Sequence, residues 1–362
     1  MNHARSLLKS AQRIVIKIGS RALASDNEAQ RSLAAQIAAF EASKSTVIVS
    51  SGAIAIGMKR LGYAERPKEI ARLQAAAAAG QIELMRRYDE AFTSLGLRAA
   101  QVLITHADLA DRERLNNARA AFAALLEANA IPIVNENDTV ATDEIRFGDN
   151  DQLASMVTPL VAADLLILLT DVEGVLDANG TRISEMSADA QIGDFRSSSG
   201  VGTGGMSSKI DAARKAVRSG ASVVIGPAGR PNVILDILAG EDVGTLFPPN
   251  GRGLRARQHW IAYTLRPRGA LLLDQGAAEA VKSGKSSLLP IGVLGVRGQF
   301  NPGDSVQLLA PSGEEVGRGL TQLGALDAAR AAGKKGHDLE MLFGTQGQAL
   351  VVVHKDDLVT ES

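Results

Sequence analysis

The 362-residue chain contains no cysteine, which excludes disulfides, thiolate nucleophiles and cysteine-ligated zinc. Aromatic residues make up only 3% against 45% hydrophobic residues overall, so the cores must be packed by aliphatic side chains. The five histidines (His3, His106, His259, His337 and His354) are scattered and form no ligand motif. Neither sign of charge dominates: 39 Lys and Arg against 40 Asp and Glu leave a formal charge of -1, with no global field toward RNA, DNA or anionic lipid. No apolar run approaches the ~18 residues a membrane helix needs. The N-terminus also lacks a signal-like apolar core, so a soluble protein in the cytoplasm is expected.

What is present is an alternation of short apolar runs and helix-like segments, in a chain long enough for two domains. RIVIKI at 13–18 and TVIVS at 46–50 are predicted strands, joined by a helix over about 29–43 whose Leu33, Ile37 and Phe40 share a side. Pro67 is placed to open a helix through 68–91, with an alanine-rich centre suited to close helix packing. Residues 101–104, 131–134, 165–169 and 222–226 are further predicted strands. Strand and helix alternation predicts an α/β fold, a mainly parallel open sheet sandwiched by helices, over residues 1–252. Pro248-Pro249-Asn250-Gly251 marks a boundary, 253–264 reads as a linker, and 265–362 as a small β-rich domain. Strands are predicted there at 270–273, 292–296, 305–309 and 349–353.

Several polar clusters follow the predicted strands, where α/β proteins place ligands. Lys17 ends the first strand and leads into Gly19 and Ser20; it is either a phosphate ligand or a neutralising lysine. Ser50-Ser51-Gly52-Ala53 is an anion pocket or an ordinary strand-to-helix turn. Asn135-Glu136-Asn137-Asp138 and Gly148-Asp149-Asn150-Asp151 flank one loop, which is either solvated or a site for an amino acid. In the second reading Asp138 and Asn150 bind amine and carboxylate, and Asp151 holds two lysines by charge-assisted contacts. Thr170-Asp171 suits nucleotide contact or a helix cap. Gly202-Thr203-Gly204-Gly205-Met206-Ser207-Ser208-Lys209 is donor-rich and ends in a cation, but it lacks the G-x-x-x-x-G-K-[ST] pattern and by itself is compatible with a structural turn.

Taken in order, VIKIGS, SSGAIAIG, DRERLNNAR, NENDTVA, GDNDQLA, LLTDVEGV and GTGGMSSK resemble the glutamate-phosphorylating members of the amino acid kinase family. The C-terminal region resembles the PUA domain appended to bacterial members. This resemblance implies transfer of the γ-phosphoryl group of ATP, with Mg2+, to the side-chain carboxylate of L-glutamate, the first step of proline biosynthesis. It implies that Lys17, Lys209 and Asp151 form the catalytic set and that Ser51, Asp138 and Asn150 bind glutamate. Lys17, Gly19, Ser20, Thr170, Asp171 and the run Thr203, Gly204, Gly205, Met206, Ser207, Ser208 and Lys209 match nucleotide-binding positions. Feedback inhibition by proline and a homo-oligomer, dimer or tetramer, are further implications. Other acceptors in the family, such as acetylglutamate, aspartate or carbamate, are the nearest alternative. RNA binding by the PUA-like region is a second alternative, disfavoured by its 10 Lys/Arg against 11 Asp/Glu. One departure stands out: VEGVLDANGTRISEM after Asp171 is shorter than the family's usual stretch, so altered packing near the nucleotide base or a shorter lid is expected.

Overall fold

The computed structural model describes residues 3–23, 27–40, 43–141, 150–190, 205–249, 253–344 and 350–360. The chain divides into two compact units, Met1–Gly253 and Leu254–Ser362. The first is built on a seven-stranded sheet of β1 (Arg13–Ile18), β2 (Ser45–Ser50), β3 (Arg98–Ile104), β4 (Ala130–Glu136), β5 (Leu165–Thr170), β6 (Ser222–Pro227) and β7 (Thr245–Phe247), in the order β3-β4-β2-β1-β5-β6-β7. All neighbours are parallel except β6 and β7, which run antiparallel. The first strand lies inside the sheet, between β2 and β5, so successive connections leave it in opposite directions. That arrangement opens a crevice at the carboxyl ends of the strands.

The strand sequences explain why this sheet is central. LLILLT and SVVIGP are buried along their whole length, as a parallel strand covered on both faces requires. One core joins Ile14, Ile16, Ile48, Ile133, Leu165 and Ile167 of the sheet to Leu33 and Ile37 of α1 (Glu28–Ala38). Each such side chain is worth roughly 1.5–3 kcal/mol relative to exposure.

The second helix, α2 (Ala53–Arg60), starts at Gly52, whose φ of 104° is open to glycine but strained for other residues. It packs against α3 (Ile70–Thr93) at a crossing that has no room for a side chain: a Cβ on Gly57 would lie 1.7 Å from the Ala76 carbonyl oxygen, and one on Gly80 would lie 1.8 Å from that of Ala53. Here the alanine-rich centre serves close helix packing, as its composition suggests. The helix itself begins at Ile70, not directly after Pro67, because Glu69 is still extended. Further helices of this unit include α4 (Arg112–Glu127), α5 (Asn150–Leu160) and α6 (Gly205–Val217).

The second unit holds a five-stranded sheet of β8 (Gly269–Leu273), β9 (Val293–Gly298), β10 (Ser305–Leu309), β11 (Glu315–Thr321) and β12 (Val353–Thr360), ordered β12-β11-β10-β8-β9. Residues 256–264, which composition alone reads as a linker, form helical turns packed on β11 and β12; Arg318 Nη1 donates to the Ala262 carbonyl at 3.0 Å. The closing strand begins at Val353, the last residue of the predicted 349–353 run, and extends to Thr360; Ala349 lies outside the described residues. Its VHKDDLVT sequence carries charge because it is an edge strand with one side toward water. No helix among the described residues is long and apolar enough to cross a membrane.

Candidate active site

Lys17 sits next to last in β1, in register with Val49 on one side and Leu168 on the other. Its Nζ lies 2.7 Å from Asp151 Oδ1, while Lys209 Nζ lies 2.9 Å from Asp151 Oδ2. One carboxylate at the start of α5 therefore engages a lysine with each oxygen, one from β1 and one from α6. The three side chains are 7%, 5% and 14% exposed for Lys17, Asp151 and Lys209, so little water screens them. Burial opposes ionisation of Asp151, but the adjacent Lys17 and Lys209 outweigh it and hold its pKa below the usual 3.8. Two ammoniums and one carboxylate leave a formal +1 in a sheltered place, a receptor for a polyanion.

Around this cluster lie the groups expected to meet a nucleotide. Gly19 and Ser20 follow β1 directly, and Ser20 opens a short helical turn. Thr170 ends β5; it is buried, and its hydroxyl donates to Asp171 Oδ1 at 3.1 Å. Gly205, Met206, Ser207 and Ser208 form the first turn of α6, which carries no acidic residue, so its N–H groups suit an anion. Gln152 on α5 donates to the Ser208 carbonyl at 3.4 Å and ties the two helices together. Thr203 and Gly204 lie outside the described residues, as do Gly148 and Asp149.

Beyond Asp171 the stretch 172–186 folds as a small turn. Asp177 Oδ1 accepts from the backbone of Asn179 and Thr181, each at 2.9 Å, and Leu176 bridges Arg182. Val175 is fully buried, and its N–H donates to Thr245 Oγ1 at 2.9 Å. Arg5, far away in sequence and 3% exposed, anchors the same region: its guanidinium donates to the carbonyls of Ser184, Glu241, Val243 and Gly244.

The other half of the sheet edge holds few formal charges. Asn150 Nδ2 donates to the Ser50 carbonyl at 2.6 Å, to Ser51 Oγ at 3.0 Å and to Asn135 Oδ1 at 3.0 Å. Asn135 Nδ2 in turn donates to Gln81 Oε1 at 2.9 Å, and the Tyr88 hydroxyl donates to Ser50 Oγ at 3.0 Å. Asp138 follows β4 in a turn secured by Ala141, which is buried against Leu73 and accepts from Gln74 Nε2 at 3.2 Å. Burial pushes the Asp138 carboxyl up to about 6, with the charge of Arg66 opposing.

The structure thus brings Lys17, Lys209 and Asp151 into direct contact and joins Asn150 to Ser51. Asp138 is placed after the neighbouring strand end, in a separate turn. The sequence does not mark Gln81 or Tyr88 as site residues, whereas Ser50 belongs to the Ser50–Ala53 segment read there as an anion pocket or a turn. The one signal for Gln81 is a polar residue on the helix face that carries Leu73, Leu84 and Tyr88, which are all buried.

Comparison with known proteins matches residues 12–227 to the amino acid kinase family and residues 269–342 to the PUA domain. A glutamate 5-kinase of Cupriavidus metallidurans is 44% identical over 373 aligned residues, which cover 98% of this chain and 99% of that protein. Glutamate 5-kinases of Burkholderia ambifaria and of a Geobacter species (strain M21) are 43% and 41% identical, each over the same 98% of this chain and 99% of the relative.

Proposed function

The chain belongs to the amino acid kinase family, and on that premise we propose that it transfers the γ-phosphoryl group of ATP to the side-chain carboxylate of L-glutamate. The products are L-glutamyl 5-phosphate and ADP, and the reaction opens proline biosynthesis in the cytoplasm. The observation that carries this reading is the single carboxylate of Asp151 bound by Lys17 and Lys209 from two separate elements. The attacking carboxylate has an unperturbed pKa near ~4 and is already ionised at neutral pH. It needs no general base, only orientation and relief from the repulsion of a polyanion. Two lysines set on either side of one carboxylate supply both, because the fold has already fixed their positions.

Ligand roles follow from the chemistry available. Lys17, Gly19, Ser20, Thr170, Asp171, the first turn of α6 and Lys209 take the nucleotide. Ser51 accepts from Asn150 and still has its own proton to donate to a carboxylate, while Asp138 and the Asn150 oxygen suit an ammonium. Both oxygens of Asp151 face lysines, a donor set made for phosphate rather than for a cation. Magnesium bound with ATP would supply charge neutralisation to the phosphates, and no carboxylate or histidine cluster among the described residues is built to hold it apart from the nucleotide. We assign catalysis to residues 1–252, inhibition by proline to the glutamate half of the site, and a homo-oligomer as the working form. RNA recognition is not assigned to residues 265–362.

Hydroxylamine trapping of the acyl phosphate tests the reaction directly. Purified protein with Mg-ATP and L-glutamate is expected to yield ADP and glutamyl hydroxamate together. Trapping with acetylglutamate or aspartate alone, and none with glutamate, overturns the substrate assignment.

A further inference from the structure

At the sheet edge opposite the catalytic one, the amino ends of the strands border a cleft of about 370 Å³, within the ~300–1,000 Å³ of small-molecule sites. Arg13 opens β1, Ser45 opens β2, Ala130 opens β4 and Asp164 precedes β5; Arg13 and Ser45 stand in register. Two lining residues are cations, Arg13 and Lys44, and one is an anion, Asp164. Among the described residues neither cation makes an ion pair. Arg13 Nη1 donates to the Val161 carbonyl at 2.5 Å, and Lys44 Nζ donates to the carbonyls of Lys9, at 3.2 Å, and Ala11. Asp164 Oδ2 instead accepts from the backbone N–H groups of Gln12 and Arg13, at 2.8 and 2.9 Å.

The guanidinium is the least satisfied of these groups. Arg13 is half-buried, its Nε is buried with no partner, and its Nη2 makes no hydrogen bond among the described residues. Partial burial of a charge against one neutral acceptor is costly, and an anion is the partner it lacks. Ala162, which lines the cleft beside Val161, holds a φ of 49°, where a Cβ is crowded. Capping carbonyls accounts for one hydrogen bond of Arg13 and two of Lys44. It still leaves two positive charges against one carboxylate already turned to the backbone.

We propose that this cleft is a binding site for a small oxyanion, a phosphate or a carboxylate, held by Arg13 and Lys44 with Ser45 and Asn129 as neutral partners. The site is separate from the kinase reading and does not depend on it. It shares elements with the catalytic edge all the same: Arg13 and Lys17 stand near the two ends of β1, and Val161 follows the helix that Asn150 and Asp151 begin.

Isothermal titration of the full chain at constant ionic strength, with inorganic phosphate and separately with succinate, tests the site. At least one probe is expected to give a saturable event that survives Lys209→Ala, which alters the catalytic cluster. Arg13→Gln keeps a donor but removes the charge, and should weaken that event roughly tenfold or more. Asn129→Asp places a negative charge on an exposed residue of the cleft and should weaken it several-fold. Saturation by phosphate alone, by succinate alone or by both supports the site and tells which oxyanion it takes. No saturable event with either probe overturns the proposal, and so does an event that Lys209→Ala abolishes and Arg13→Gln leaves intact. Should Arg13→Gln melt too low to titrate, an unchanged affinity in Asn129→Asp overturns it instead.

Discussion

Asp151 and Asp138 belong to two halves of one sheet edge, and their surroundings shift them in opposite directions. Asp151 is buried and Asp138 half-buried, and burial alone would raise both. At Asp151 two lysines reverse the sign, whereas at Asp138 only the charge of Arg66 opposes, and the carboxyl is pushed up to about 6. On the function proposed above, the difference separates the tasks of the two halves. Where a phosphoryl group passes between anions, the protein concentrates full charges whose excess is positive. Where an amino acid must be distinguished, it uses amides, a hydroxyl and one carboxyl that awaits a cation.

The largest effect should come from breaking the charged half. Lys17→Ala and Lys209→Ala are each expected to lower kcat by about 10²–10³-fold, the usual loss for one preorganised donor to a developing charge. The KM for glutamate and the melting temperature should change little. Full activity in both variants would sink the phosphate clamp.

Asp151→Asn tests the same half through stability. It leaves two sheltered ammoniums without their counter-charge, so urea unfolding should show a loss of about 3 kcal/mol. Saturating ATP should recover part of that loss, since phosphate binds only the folded cluster. Because the folded pKa of Asp151 lies below the unfolded value of 3.8, its stabilisation is present above that value. It is lost only as the pH falls through the lower, folded value.

Asp138 should behave in the reverse sense. Between 3.8 and about 6 the folded chain keeps a proton that the unfolded chain has released, so this residue makes the fold less stable as pH rises through that window. Pairing with an ammonium requires the ionised form. The KM for glutamate is therefore expected to climb as pH falls below about 6, approaching tenfold per unit, while the KM for ATP stays flat. Asp138→Asn should raise the KM and remove this slope. A slope that persists in the variant would place the titrating group elsewhere.

The smallest expected effect concerns the second unit. At physiological salt the full chain should show no saturable, salt-dependent RNA binding, and added RNA should leave turnover unchanged. Binding that weakens steeply with salt would give that unit a role the catalytic reading does not contain.

Much of this organisation is legible from local pattern. A buried parallel strand requires a continuous apolar run, so RIVIKI and LLILLT declare themselves, and so do Lys17 and Thr170 at their ends. β11, EVGRGLT, does not, because glycines and charges interrupt its alternation; Gly317 and Gly319 are needed where the backbone and side chains of β12 come close. Helix α2 is hidden in the same way, since its eight residues follow a glycine-containing turn and its glycine serves a packing partner 23 positions away. The amide chain is less legible still. Gln81 reads as one polar residue in a helix, and nothing local reveals that its acceptor meets a residue 54 positions away.

By itself the sequence determined the succession of α/β elements, the lack of thiol chemistry, and which loops carry cations, amides and carboxylates. Those follow from side-chain chemistry and the periods of strand and helix, which are local. Only the tertiary structure decided that Asp151 binds both lysines, that Asp138 is left to burial, and that Asn150 meets Ser50, Ser51 and Asn135. Shifted ionisation and fixed hydrogen-bond direction depend on distance and exclusion of water, and these exist only once the strand ends have been brought together.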